Sequence, residues 1–322
     1  MTIWKQGPFY PDLGKNVVEL PNEVHPGPSD AMIKIDGFNV QPDENGDFIH
    51  GSNGVAYAED ELDAINTYAI VRMVINLYED LLGKPIQWSW WENGKGDPLL
   101  IKIRNNDINA RFIKEYKCIE LDYYGPYKNW TYNCRSADLI AHETGHAILD
   151  SILPQFNNGS TETRGIGEAF CDLSAMFWVL SQKDLCEHVI KENGGDLTKE
   201  SILTLFGVGY GYSQNKYKEL RSAINCKKYS INSKVSYDYC QVLVCVLYQL
   251  LVLLFTDNLS EFINNSDRLY QSGKEWMRNI VAVFLKNSNS NVTLPIFIKN
   301  VVKEFQGGGR EIEKHFSRNK FY

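Results

Sequence analysis

The stretch Ser136–Pro154, SADLIAHETGHAILDSILP, constrains this chain more than any other. It contains His142-Glu143-Thr144-Gly145-His146, the pattern H-E-x-x-H. On an α-helix, residues four apart share a face, so the two imidazoles can aim at one ion. Glu143 stands one position on, close enough to act on a water beside that ion without ligating it. The flanks predict a helix. Ser136 is a suitable N-cap, Asp138 places an anion in the first turn, and Pro154 blocks continuation. Leu139, Ile140, Ala147, Ile148 and Ile152 supply apolar surface for burying it.

The rest of the chain is arranged around this helix. Residues 1–55 hold six of the eleven prolines and many turn dipeptides, which predicts short strands and loops. From Asp60 to Leu82 the apolar residues fall at helical spacing, and Gly83 and Pro85 stop the pattern. Leu99–Arg104, Ala110–Tyr116 and Lys117–Tyr124 are short and rich in Ile, Phe and Tyr, hence strands. Gly165–Ser181 predicts a second buried helix, and Tyr237–Phe255, Lys274–Lys286 and Pro295–Phe305 predict three more. The apolar run Val242–Phe255 is broken only by Gln249. At 14 residues it is short of the roughly twenty that cross a bilayer, so a buried central helix is expected, with no membrane span.

The expected class is therefore α+β. A mixed N-terminal half, residues 1–155, carries the sheet and the H-E-x-x-H helix. An all-helical half, residues 156–322, follows, with the active site in a cleft between them. Net charge is −7, which gives no basic footprint for nucleic acid. Seven cysteines, odd in number and with no C-x-x-C pair, argue against a dense disulfide framework and leave room for one or two bridges, for instance between Cys118 and Cys134. The first residues, MTIWKQGPFYPDLGK, lack the apolar core of a signal peptide. The expectation is a chain that stays inside the cell, leaves by another route, or is a mature form.

Two histidines do not complete a catalytic zinc site, which normally has three protein ligands and one open position. An H-x-x-G-x-x-H extension would need glycine at 149 and histidine at 152, where Leu149 and Ile152 stand. A carboxylate from the next helix is the other common answer. Glu168 lies 22 residues after His146 on a helix expected to be buried, and Asp172 is one turn further along the same face. Asp172 is placed to accept a hydrogen bond from the second ring nitrogen of a ligating histidine. Cys171 could offer a thiolate, but a small buried core thiol is the expectation.

H-E-T-G-H followed by G-E-A-F-C-D resembles the H-E-x-x-H … E-A-x-x-D pattern of the thermolysin-like metallopeptidases, the gluzincins. The resemblance covers roughly residues 60–260 and is strongest at the metal motif. It implies one zinc ion held by His142, His146 and Glu168, with Glu143 as general base and a peptide or protein as substrate. Asn109-Ala110 is similar to the step on the edge strand that pairs with the bound peptide backbone. Leu220-Arg221-Ser222 is similar to the segment whose arginine contacts the substrate carbonyl. Leu139 and Leu220 would then line the pocket for a bulky apolar residue after the scissile bond. The family's transition-state histidine is replaced by Tyr237, with Tyr239 nearby, because no histidine occurs between His188 and His315. The family's tyrosine after the metal helix has no clear counterpart beside Phe156 and Asn157, and no long inhibitory pro-segment precedes the first helix. A tyrosine hydroxyl can still donate to a developing oxyanion, which gives Tyr237 that role beside Arg221. Nothing in the sequence marks a calcium loop.

The sequence thus predicts a zinc-dependent endopeptidase. The alternative from another class is a catalytically retired protein of the same fold that binds a peptide or partner. An aminopeptidase would need an acidic pocket for the substrate amine, and no G-x-M-E-N-like segment precedes the motif to supply it.

Overall fold

The computed structural model describes residues 1–51, 54–105, 109–124, 130–157, 159–208, 219–225, 227–257, 264–288 and 292–305. The chain is α+β, as the sequence predicts. It divides into two compact units, one of Met1–Asp80, Lys84–Ile148 and Phe206–Leu220, the other of Leu81–Gly83, Leu149–Leu205 and Arg221–Tyr322. The border therefore falls inside the H-E-x-x-H helix, and a later segment, 206–220, returns to the first unit.

The first unit is built on one long helix and one small mixed sheet. Helix α1, Glu59–Leu82, opens with Glu59, Asp60 and Glu61, where the helix dipole favours anions. It ends at Gly83, whose φ of 65° suits glycine. Ile65, Tyr68, Ala69, Val71, Val74, Ile75 and Tyr78 are all buried along it. The sheet has the order β3 (Ile33–Ile35), β4 (Leu99–Ile103), β6 (Cys118–Leu121), β5 (Ala110–Ile113). β3, β4 and β6 run parallel, and β5 pairs antiparallel with β6 in the register Ala110↔Leu121, Phe112↔Ile119. Two antiparallel ribbons also belong to this unit, β1 (Thr2–Trp4) with β2 (Lys15–Val17) and β7 (Tyr123–Tyr124) with β8 (Thr131–Tyr132). On β4, Leu99, Ile101 and Ile103 alternate inward as a strand with one buried face requires. The strand expected over 110–116 is shorter. A 3₁₀ turn over Lys114–Tyr116 ends it, and Lys117 takes a left-handed φ of 51° to re-enter the sheet. β5 is an edge strand.

The second unit is helical. Helix α2, Ala137–Ile152, leads into it, followed by α3 (Thr161–Leu180), α4 (Lys183–Asn193), α5 (Ser236–Asp257), α6 (Asn265–Lys286) and α7 (Leu294–Glu304). The sequence reading placed only helices here. The structure adds the two-residue strands β9 (Leu205–Phe206) and β10 (Arg221–Ser222). α4 was not predicted, and α6 begins at Asn265, nine residues before the expected start, behind the N-cap Asn264 whose side chain accepts from the Asp267 amide. α3 packs most extensively against α5. Gly165 allows that approach, because a Cβ there would stand 2.5 Å from the Ser236 carbonyl oxygen and 2.6 Å from the Tyr239 Cβ. An aromatic cluster fills the core: Phe170 against Phe284 at 5.1 Å, Phe284 against Phe297 at 4.8 Å, and Phe177 against Trp276 at 5.6 Å between ring centres. Full burial of each such side chain contributes about 1.5–3 kcal/mol. α5 is long and apolar enough to cross a membrane by length and composition, and 67% of its most apolar window is buried inside the molecule.

Candidate metal centre

α2 is buried almost from end to end, which is unusual for a helix carrying His, Glu, Thr and Asp. Each polar group therefore needs a local reason. At the N-terminus, Ser136 Oγ donates to Asp138 Oδ1, which also accepts the Leu139 amide at 2.9 Å. Asp138 Oδ2 accepts the Gly207 amide at 2.7 Å. Burial pushes the Asp138 carboxyl above its usual range, more than the bonds from Ser136, Gly207 and Leu139 pull it down. Thr144 returns its hydroxyl to the Ile140 carbonyl at 2.7 Å, the common helical solution. Asp150 accepts from Asn157 Nδ2 at 2.8 Å.

The motif residues are set on this buried frame. His142 is buried, His146 half-buried, and their ring centres lie 4.9 Å apart at an interplanar angle of 78°. Glu143 is buried, and its Oε2 accepts the backbone N–H of Phe112 at 2.9 Å. The edge strand β5 thus holds the carboxylate through a backbone donor, which no substitution except proline can remove. Phe112 in turn stacks against Trp90 at 6.5 Å, and Trp90 against the buried Trp88 at 5.4 Å.

His142, His146 and Cys171 form a group that could hold a metal ion, each offering one ligand atom within 4.8 Å of the others. Ligand atoms around a tetrahedral zinc, at bond lengths near 2.0–2.3 Å, stand roughly 3.3–3.8 Å apart. The 4.8 Å bound on the donor atoms admits that spacing, and imidazole with thiolate suits a borderline-soft ion such as zinc. The donor set therefore fits. Cys171 was expected to be an inert core thiol, and it is fully buried, but its sulfur lies with the histidines. Glu168, the third ligand expected from the sequence, sits three residues earlier on α3, half-buried, with Oε2 closed off from solvent. It is not a member of the convergent group.

Both oxygens of the buried Asp172 accept from Arg221, at 2.8 Å from Nε and 2.6 Å from Nη2. The Cys240 thiol also donates to Asp172, at 3.3 Å. Burial pulls the Arg221 pKa down, but the Asp172 charge outweighs it and leaves the guanidinium well above its ordinary value. That guanidinium covers the ring of Tyr237 at 4.8 Å. Tyr237 is 41% exposed in the first turn of α5, whereas Tyr239 is buried with its hydroxyl given to the Ser233 carbonyl at 3.1 Å. Asn109 is exposed at the start of β5, its Oδ1 accepting the Ala110 amide at 3.0 Å. Its carbonyl accepts from Asn133 Nδ2 at 2.9 Å, which anchors this end of the strand. Leu139 is buried and Leu220 is 40% exposed. The Leu220 side chain packs over Gly207, whose amide is bonded to Asp138 in the first turn of α2, next in sequence to Leu139.

Two features escaped the sequence reading. The Phe112 amide gives no sequence signal, since it is a backbone group chosen by strand register. The Arg221–Asp172 fork joins residues 49 apart, and only the buried position of Asp172 on a helix hinted at a cationic partner. No protein-family model matches this chain, and comparison with curated proteins returns no significant match.

Proposed function

We propose that this chain is a zinc-dependent endopeptidase whose metal is held by His142, His146 and a third ligand from α3. The reading is supported above all by Glu143, a buried carboxylate next to a paired-histidine turn and tethered to an edge strand. A bound zinc ion supplies Lewis acidity, activating a water and polarising the peptide carbonyl. The chain's own residues do the rest. Glu143 has Oε2 fixed by the Phe112 N–H, which leaves Oε1 to take the water proton and pass it to the leaving amine. An extended peptide laid against the open side of β5 would be oriented by main-chain hydrogen bonds, starting at Asn109 and Ala110. Leu139 and Leu220 would favour a bulky apolar residue after the scissile bond. Arg221 and the Tyr237 hydroxyl are assigned to the developing oxyanion.

For the third ligand, the resemblance in sequence favours Glu168 and the convergence of donor atoms favours Cys171. The two differ in consequence, since a thiolate is the softer ligand and a carboxylate the harder one. The second reading, a peptide- or partner-binding protein of the same fold, is favoured by one observation: Tyr237, 41% exposed under the Arg221 guanidinium, stands where the resemblance expects a histidine.

The test is a digest of a mixed peptide library by the purified chain. Cleavage before bulky apolar residues, lost on chelation and restored by added zinc, is the expected result. A chain that contains zinc and leaves the whole library intact would replace the endopeptidase by the peptide-binding protein.

A further inference from the structure

The Glu143 carboxylate is docked on one backbone donor, and side chains further off govern where that donor points. Phe112 lies on β5, a strand of four residues at the edge of its sheet, paired on one side only. Its N–H meets Glu143 Oε2 at 2.9 Å. In a strand, the side chain and the N–H leave the same residue roughly at right angles, so a twist about the strand axis turns both together. A contact that fixes the Phe112 ring therefore fixes the direction of its N–H.

Trp90 supplies that contact. Its ring lies 6.5 Å from the Phe112 ring at an interplanar angle of 26°, within the range of aromatic pairs. Trp90 is itself held twice. It stacks on Trp88 at 5.4 Å and 11°, and its Nε1 donates to the Asp97 carbonyl at 2.9 Å. The same carbonyl accepts Trp91 Nε1 at 2.8 Å, and the Trp91 ring lies so close to Gly96 that a Cβ there would stand 2.5 Å from its Cδ1. Trp88 is 1% exposed and gives its Nε1 to the Met32 carbonyl at 2.8 Å, which also accepts the Leu99 amide at the start of β4. A continuous series thus runs from the sheet through Trp88, Trp90 and Phe112 to Glu143, all of it in the first unit.

We propose that Trp90 is a positioning residue, whose stack on Phe112 holds in place the N–H that orients Glu143. A catalytic group must keep its productive geometry to within about 0.5 Å, and residues that touch neither metal nor substrate supply that rigidity. Glu143 is buried, so losing the N–H would leave its Oε2 without this bond and free the carboxylate to turn. The positional claim stands on these contacts alone; its consequence for hydrolysis rests on the endopeptidase reading.

The experiment is hydrogen–deuterium exchange of single backbone amides in the full chain, with kinetics alongside. In Trp90→Ala the Phe112 amide should exchange at least about tenfold faster than in wild type, while the amides of β6 keep their rates. Trp90→Leu, which keeps apolar bulk and loses the ring, should behave alike. Trp90→Phe keeps a ring and should restore protection to within about threefold. These rates need neither zinc nor substrate, so they decide the positional claim even for a chain that cleaves nothing. In an active chain, Trp90→Ala should lower kcat at least about tenfold with KM and zinc content unchanged, and Trp90→Phe should recover most of it. Wild-type exchange at Phe112 in folded Trp90→Ala or Trp90→Leu overturns the proposal. So does equal acceleration throughout β5 and β6, which would make the stack a general support of the sheet. Faster exchange at Phe112 with undiminished kcat overturns it as well, since Glu143 would then not need that N–H.

Discussion

Glu143→Gln should cut peptide hydrolysis by about 10²–10⁴-fold, the usual contribution of a positioned general base, and leave metal content unchanged. The substitution keeps size and shape. The Phe112 N–H that now meets Oε2 at 2.9 Å can be met by the amide oxygen, so the side chain stays docked on β5. What is lost is basicity alone. Stability should move by no more than about 1 kcal/mol, since one charge-assisted hydrogen bond becomes a neutral one. Two measurements on the same preparation decide it: kcat/KM on the best library peptide, and zinc per chain. A variant that keeps its zinc and cleaves within tenfold of wild type would remove Glu143 from the mechanism. A variant that loses its zinc would mean that Glu143 is part of the metal-binding set.

The second large effect concerns stability. Asp172 is 1% exposed and faces Arg221 through two hydrogen bonds, with the Cys240 thiol as a third donor. Asp172→Ala leaves the guanidinium buried without its counter-charge, a change that typically costs about 3–5 kcal/mol. Most of that is the penalty of the stranded charge and not the worth of the pair. Removing the charge as well, in Asp172→Ala with Arg221→Met, should therefore recover a substantial part of the loss. Urea unfolding of the full chain reads both. A single variant that costs less than about 1 kcal/mol, or a double variant no better than the single, would mean that Arg221 finds water or another partner.

What the sequence disclosed, and what it withheld, follows the range of the interactions. α1 and the α2 turn are governed by local periodicity, so Asp60–Leu82 and the H-E-x-x-H spacing could be read directly. The edge position of β5 was expected only through the resemblance, and the sheet order bears it out. The contacts that shape the site join distant residues: Phe112 to Glu143 across 31 positions, Asp172 to Arg221 across 49, and Asp138 to Gly207 across 69. Periodicity carries no information on such pairs. Cys171 was set aside because a buried thiol next to Phe170 has an ordinary packing role, and its convergence with the histidines depends on where α3 lies. α4 was missed although a signal was present, since Gly194 at φ 68° caps it in the left-handed conformation typical of helix ends.

The central claim is a metal ion on the two motif histidines, and elemental analysis of the purified full chain tests it most directly. After equilibration with zinc and removal of excess, the wild type should carry about one zinc per chain, and His146→Ala should carry almost none. Cys171→Ser and Glu168→Gln, measured alongside, identify the third ligand by which of them loses the metal. A wild-type chain that leaves this treatment without zinc, or a His146→Ala chain that keeps a full equivalent, would contradict the account.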